Sequence, residues 1–209
     1  MQIYLMRHGE TDWNKAGRLQ GQSDIPLNEF GVELAVKTGE AMADIPFDAA
    51  FCSPLQRAVQ TAEIILGKRE VPLLSDDRLK EMNFGSNEGI FFKEAKKDTH
   101  NPLYAFFCKP ECYMPLEGAE SFEQVAERGK AFLQEKILPL EKSCKNVLVV
   151  AHGAFNRSLL NPIAGIPLKD FWQIGLPNCA VSILSLENGK LEILEESRVY
   201  YGEAVNGRP

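Results

Sequence analysis

The chain has 209 residues, 25% charged and 44% apolar, with a formal net charge of −6. That balance is ordinary for a globular protein and argues against a nucleic-acid surface, which needs clustered positive charge. The length suits a single domain over residues 1–209, and no apolar run is long enough for a bilayer crossing. With no leader pattern before the first strand, the chain reads as cytoplasmic.

The first element is an apolar run, Ile3-Tyr4-Leu5-Met6, ended by Arg7-His8-Gly9-Glu10-Thr11. Such a run predicts a buried strand entering a loop. Open α/β sheets bind ligands beyond the carboxyl ends of their strands, so Arg7 and His8 stand where ligands go. Read alone, the segment is equally a surface loop with two basic residues. Asn28 caps a predicted helix from Glu29 to about Asp44, with Val32, Ala35, Val36, Gly39 and Ala43 on its apolar face. A short strand follows, from Ala49 to Cys52. Ser53 is then a predicted N-cap, Pro54 suits the first helical position, and Gln56 completes a capping box. Arg57 falls in the first turn, where the macrodipole disfavours a cation. Together with the free N–H groups it predicts an anion site.

Residues 71–75 read as a further strand. The stretch from about 87 to 120 fits no regular pattern and holds Phe91, Phe92, Tyr104, Phe106, Phe107 and Tyr113. Long irregular insertions are often lids. Here the aromatics are expected mostly to pack, with one or two lining a pocket. Ser121 and Gln124 form a second capping box, opening a helix to about Lys136. Its buried face is expected to hold Phe122, Val125, Ala126, Gly129, Phe132 and Leu133.

Asn146 to Ala151 repeats the opening design, an apolar strand followed by His152-Gly153 and a helix from Ala154 to Ile163. Two of the three histidines thus end strands and precede a glycine, which lets a ligand approach the backbone. Were the two strands parallel neighbours, both imidazoles would face one crevice. Strands near 180–186 and 191–198, joined by Asn188-Gly189, read as a hairpin. The pattern predicts a mainly parallel α/β sheet with helices on both faces and an antiparallel edge. Five cysteines show no zinc-ligand spacing, so no metal site is expected.

The chain resembles the histidine phosphatase superfamily, which includes cofactor-dependent phosphoglycerate mutases and many small phosphatases. The resemblance runs through Leu5-Met6-Arg7-His8-Gly9-Glu10-Thr11 with Asn14, then Gly21 to Gly31. It continues in Ser53-Pro54-Leu55-Gln56-Arg57-Ala58 with Gln60-Thr61-Ala62, and in Leu79-Lys80-Glu81 with Phe84-Gly85 and Glu88-Gly89. It ends in Val149-Val150-Ala151-His152-Gly153 with Arg157. One departure is Asn87, where many relatives carry tryptophan.

The resemblance implies a three-layer α/β/α sandwich with a lid insertion at about 87–120, and metal-independent hydrolysis of phosphomonoesters without a cofactor. His8 would form a phosphohistidine, Arg7, Arg57 and His152 would hold the phosphoryl oxygens, and Glu81 would serve as general acid. Asn14, Gln20, Gly21, Ser53 and Gly153 are candidate substrate contacts. Arg157 reads instead as a structural ion-pair partner. The expected partners are a small phosphorylated metabolite and oxyanion inhibitors such as phosphate, with neither nucleic acid nor membrane.

A phosphoglycerate mutase, which shares the phosphohistidine, is the alternative; a non-catalytic phosphate-binding protein is a third. Such mutases resemble one another in a longer central insertion with paired arginines. Here no arginine lies between Arg78 and Arg128, and Lys93, Lys96, Lys97 and Lys109 are less directional cations. The phosphatase reading is therefore preferred.

Overall fold

A computed structural model describes residues 1–202. Four strands run parallel: β1 (Gln2–Arg7), β2 (Ala49–Cys52), β3 (Leu73–Ser75) and β4 (Asn146–Ala151). The hairpin β5 (Val181–Glu187) and β6 (Lys190–Arg198) adds an antiparallel edge. The sheet order is β3-β2-β4-β1-β5-β6. β1 and β4 are therefore central neighbours, and Arg7 pairs with Ala151 at their carboxyl ends.

Among the described residues, seven α-helices accompany the sheet: α1 (Asp12–Ala16), α2 (Glu29–Ala41), α3 (Gln56–Leu66), α4 (Phe92–Ala95), α5 (Tyr104–Cys108), α6 (Phe122–Phe132) and α7 (Gly153–Ile163). Strand periodicity distributes the core over both faces. Ile3, Leu5, Val147 and Val149 pack with Phe132 of α6 and with Phe155 and Leu159 of α7. Tyr4, Met6, Leu148 and Val150 pack with Ala58, Ala62 and Ile65 of α3. Continuous apolar runs are what a doubly covered strand requires. The expected three-layer α/β/α sandwich with an antiparallel edge is observed. Among the described residues, no helix is long and apolar enough to cross a membrane.

Several local expectations need correction. The buried face of α2 is Gly31, Leu34, Ala35 and Thr38, while Val32 and Val36 are 40% and 41% exposed. The cause is Gly31. A Cβ there would overlap the main-chain carbonyl of Glu10, so the helix must turn its glycine toward the loop after β1. Ser53 does not cap α3 either. The N-cap is Leu55, without a side-chain cap bond, and the Ser53 hydroxyl accepts only from the Leu55 N–H at 3.3 Å. The Gln56 N–H is taken by Asp24 at 2.7 Å. The anion at this helix start is thus one of the protein's own carboxylates. β3 is also shorter than expected, at three residues.

The 87–120 segment is partly helical, carrying α4, α5 and a 3₁₀ turn at Pro110–Cys112. Its centre is Phe106, fully buried. That ring contacts Phe84, Phe107, Tyr113, Phe122 and Trp172 at centroid separations of 4.9–5.3 Å. Aromatic edge-to-face contacts at this range each add about 1 kcal/mol beyond area burial. The segment is anchored to α6 and to Trp172 by this cluster.

Candidate active site

Register builds the site. His8 and His152 follow paired residues on adjacent parallel strands, and the His8 N–H donates to Ala151 O at 3.0 Å. Both imidazoles are buried, with ring centroids 5.1 Å apart. His8 Nδ1 lies 2.7 Å from Gly9 O. A carbonyl can only accept, so Nδ1 carries the hydrogen and Nε2 keeps its lone pair. Arg57 Nε donates to that Nε2 at 3.3 Å. Burial, then Arg57 and Arg7, hold the His8 pKa well below its ordinary value. Burial, then Arg57 and His8, do the same for His152. Both rings are neutral near pH 7.

The arginines are fixed by carbonyls. Arg57 is fully buried and donates to Ser23 O at 2.8 Å and Gly21 O at 2.7 Å. Gly21 has φ +56°, and a Cβ on it would overlap the Glu88 carboxylate, so only glycine presents its carbonyl this way. Arg7 donates from Nη1 to Leu176 O at 2.6 Å. Burial lowers the pKa of both guanidiniums, Arg57 to about 10, which leaves them charged near neutrality. Among the described residues, Arg7 Nε and both ring nitrogens of His152 are buried without a hydrogen-bond partner. Unpartnered buried donors beside one another suit an oxyanion.

Glu81 lines the same cavity as Arg7, His8 and Arg57. Its Oε1 accepts from the Met82 and Phe155 N–H groups at 2.9 Å each, and its Oε2 from Ala154 N–H at 3.1 Å. The start of α7 therefore holds the carboxylate. A Cβ built on Gly153 would meet Arg157 Nη1 at 3.4 Å, Arg7 Nε at 3.6 Å and Glu81 Oε2 at 3.7 Å. Three chemically active groups converge on that one glycine.

The cavity in front has a volume of about 400 Å³, and His8, Arg7, Arg57, Glu81 and Gly153 line it. Asn14, Gln20 and Gly21 line it as well. Ser53 is buried and is not among the lining residues. Among the 87–120 aromatics, Phe92, Phe106 and Phe107 reach the wall, while Phe91 and Tyr104 do not. Cys52 is buried and does not line it, its thiol pushed up to about 11 by burial. Among the described residues, no cluster of three or more His, Cys, Asp or Glu could hold a metal.

The chain matches the model of the Histidine phosphatase superfamily (branch 1) over residues 3–197. It belongs to that family. An uncharacterized phosphatase PhoE of Bacillus subtilis is 36% identical over 165 residues, covering 78% of this chain and 77% of the relative. A probable 2-carboxy-D-arabinitol-1-phosphatase of Arabidopsis thaliana is 34% identical over 87% of this chain, which spans 37% of that relative's length. Phosphoglycerate mutases occur among the relatives of this histidine phosphatase too. A probable phosphoglycerate mutase GpmB of Proteus mirabilis is 33% identical over 90% of this chain and 86% of its own. Among solved structures, Bacillus stearothermophilus YhfR superposes with a TM-score of 0.86 at 30% identity, covering 95% of this chain and 97% of that one.

Other residues at this site escaped the sequence reading. Thr61 accepts the Gly9 N–H at 2.9 Å and donates to Arg57 O at 2.6 Å, tying the two motifs together. Asn178 donates from Nδ2 to His8 O at 3.0 Å and Gly9 O at 3.1 Å. Arg157 was read as an ion-pair partner. Instead it donates to Ile174 O and Gly153 O and lines the cavity. Arg18, Lys96 and Trp172 also line it. Thr61 offered a signal, since a hydroxyl sits inside an apolar helical stripe. Asn178 offered none, because its partners lie about 170 residues away.

Proposed function

We propose that this histidine phosphatase hydrolyses small phosphate monoesters through a phosphohistidine on His8. The observation that carries the reading is the fixed neutral imidazole, with Nδ1–H held by the Gly9 carbonyl and Nε2 among guanidiniums.

In the first half-reaction the Nε2 lone pair attacks phosphorus in line. An N–P bond forms and the P–O bond to the alcohol breaks. Arg57, Arg7 and His152 hold the three equatorial oxygens, where charge concentrates in a loose transition state. Guanidinium forks match that array of oxygens better than ammonium does. Asn14, Gln20, Gly21 and Gly153 complete the floor of the site. Glu81 gives its proton to the departing oxygen. In the second half a water attacks phosphorus, Glu81 takes the water's proton, and the N–P electron pair returns to Nε2. The sum is ester plus water to alcohol plus phosphate. The positive charge is supplied by side chains of the protein.

The test is a rapid quench during turnover of an aryl phosphate. Acid-labile, base-stable phosphate should appear and map to His8 by mass spectrometry. His8→Ala should lose turnover while keeping its circular dichroism spectrum, and EDTA should leave the wild-type rate unchanged. Full activity in His8→Ala, or EDTA inactivation reversed by one divalent metal, would overturn the mechanism.

A further inference from the structure

Five cations line the cavity: Arg7, Arg18, Arg57, Lys96 and Arg157. Among the described residues, Glu81 is the one acidic side chain that lines it with them. With both histidines neutral, the wall sets five positive groups against one carboxyl group, in a chain whose own net charge is −6. A phosphomonoester dianion offsets two of those charges, and Arg7 and Arg57 already face it.

None of the remaining three forms an ion pair among the described residues. Arg18 donates to Gly89 O at 2.9 Å and lies 4.2 Å over the Phe91 ring. Arg157 donates only to carbonyls, at 2.9 and 3.0 Å, and lies 5.1 Å over Trp172. Lys96 sits 5.2 Å over Phe107 and 5.6 Å over Phe92. Away from the cavity, Arg69 also donates to main-chain carbonyls, those of Met42, Ile65 and Leu66, but other arginines there are ion-paired. Arg78 pairs with Asp76 and Glu135, and Arg128 pairs with Glu120. Burying a guanidinium without a hydrogen-bonded carboxylate is costly, and the Arg157 pKa is lowered to about 10, first by burial and then by Arg7, with Glu81 opposing the shift. An arriving anion offsets that cost.

These groups are arranged along one wall. Trp172 and Phe107 are 5.8 Å apart and Phe107 and Phe92 6.3 Å, forming an aromatic shelf. Arg157 stands over its inner end, beside Arg7 and Glu81, and Lys96 over its outer end. Resting on the phosphatase reading above, we propose that the substrate is a phosphomonoester whose alcohol half carries a second anion, a carboxylate or a further phosphate. Arg157 and Lys96 receive that anion across the shelf, and Arg18 adds to the field. The sequence reading found the lid too poor in arginine to grip an acidic substrate. The guanidiniums come instead from the loop after α1 and from α7.

The test uses matched ligands on the His8→Ala protein, so that binding is read without turnover. 3-Phosphoglycerate is compared with glycerol 3-phosphate, and fructose 1,6-bisphosphate with fructose 6-phosphate, by calorimetry. The doubly anionic member of at least one pair should bind tenfold or more tightly. Which pair shows the gain decides between carboxylate and phosphate. Lys96 is exposed, so Lys96→Met and Lys96→Glu are expected to fold, and they should shrink that ratio in this order. Equal or weaker binding of both doubly anionic ligands overturns the inference. It leaves the phosphatase reading standing if the wild type still forms phosphohistidine from an ester whose alcohol half is uncharged. Failure of the wild type to form it from any ester removes that reading instead.

Discussion

Arg57 donates from Nε to the Nε2 lone pair of His8 at 3.3 Å, while its two terminal nitrogens bind the Ser23 and Gly21 carbonyls. The arginine is thus aimed by the loop after α1 and points its Nε at the proposed nucleophile. Lysine cannot satisfy two carbonyls and the imidazole in that fixed fan. Arg57→Lys is expected to lower kcat by about 10²–10³, the loss typical of removing one transition-state donor. Steady-state kinetics with an aryl phosphate would show it. A loss below threefold would mean that charge alone, without the fork, suffices.

Asn178 offers a second test. Its amide holds the carbonyl of Gly9, which in turn holds the Nδ1–H of His8. Removing it should free that carbonyl and let the imidazole populate the other tautomer. Asn178→Ala is expected to lower kcat about tenfold, with a stability loss of about 1 kcal/mol from the lost hydrogen bonds. Nitrogen-15 shifts of His8 separate the two effects. An unchanged tautomer with a changed melting temperature would assign Asn178 a structural role alone.

The buried histidines set a pH dependence of stability. Their folded pKa values lie well below 6.5, so below about pH 6.5 the unfolded chain binds protons that the folded chain refuses. Stability is therefore retained above that pH and falls as the pH drops from about 7 to 5. Two such groups give a slope approaching about 2.7 kcal/mol per pH unit. Urea unfolding of the wild type and of His152→Gln across this window checks the point. The variant's slope should be about half as steep in the histidine-dependent part; identical slopes would mean that His152 is charged in the fold.

The last prediction separates hydrolase from mutase. A mutase must keep water from its phosphoenzyme until the phosphoryl group returns to substrate. The wall here is a short segment fixed by the Phe106 cluster, around a cavity of about 400 Å³. That leaves room for water beside a small ester. Phosphate release should outrun conversion of 3-phosphoglycerate to 2-phosphoglycerate, even with 2,3-bisphosphoglycerate as primer. Phe107→Ala and Phe92→Ala should shift ester preference more than they change the rate of phosphoenzyme formation. Efficient primer-dependent isomerisation with little phosphate release would promote the mutase reading.

The strands and their order of function were readable because buried parallel strands leave uninterrupted apolar runs, each ending in chemistry. His8 and His152 stood out for that reason, as did Arg57 against the macrodipole. The start of α3 was misread because Asp24, from a distant loop, replaces the local cap that Ser53 offered. The face of α2 was misread because a close approach at Gly31, invisible to periodicity, outweighs two valines. Arg157 was undervalued because its partners are main-chain carbonyls and the Trp172 ring, which leave no charge pattern in the sequence.

The pairing of Arg7 with Ala151 has a consequence for how this scaffold can diversify. The two imidazoles leave neighbouring strands at one level, and their 5.1 Å separation is close to the spacing between adjacent strands, about 4.8 Å. The sheet sets where the two rings start, and none of the groups that hold the His8 ring, Gly9, Arg57 and Asn178, belongs to the lid. The lid can therefore be lengthened, recharged or replaced without retuning the gap between the phosphoryl-handling rings. New substrates become accessible through changes that leave the reactive centre at its original gauge.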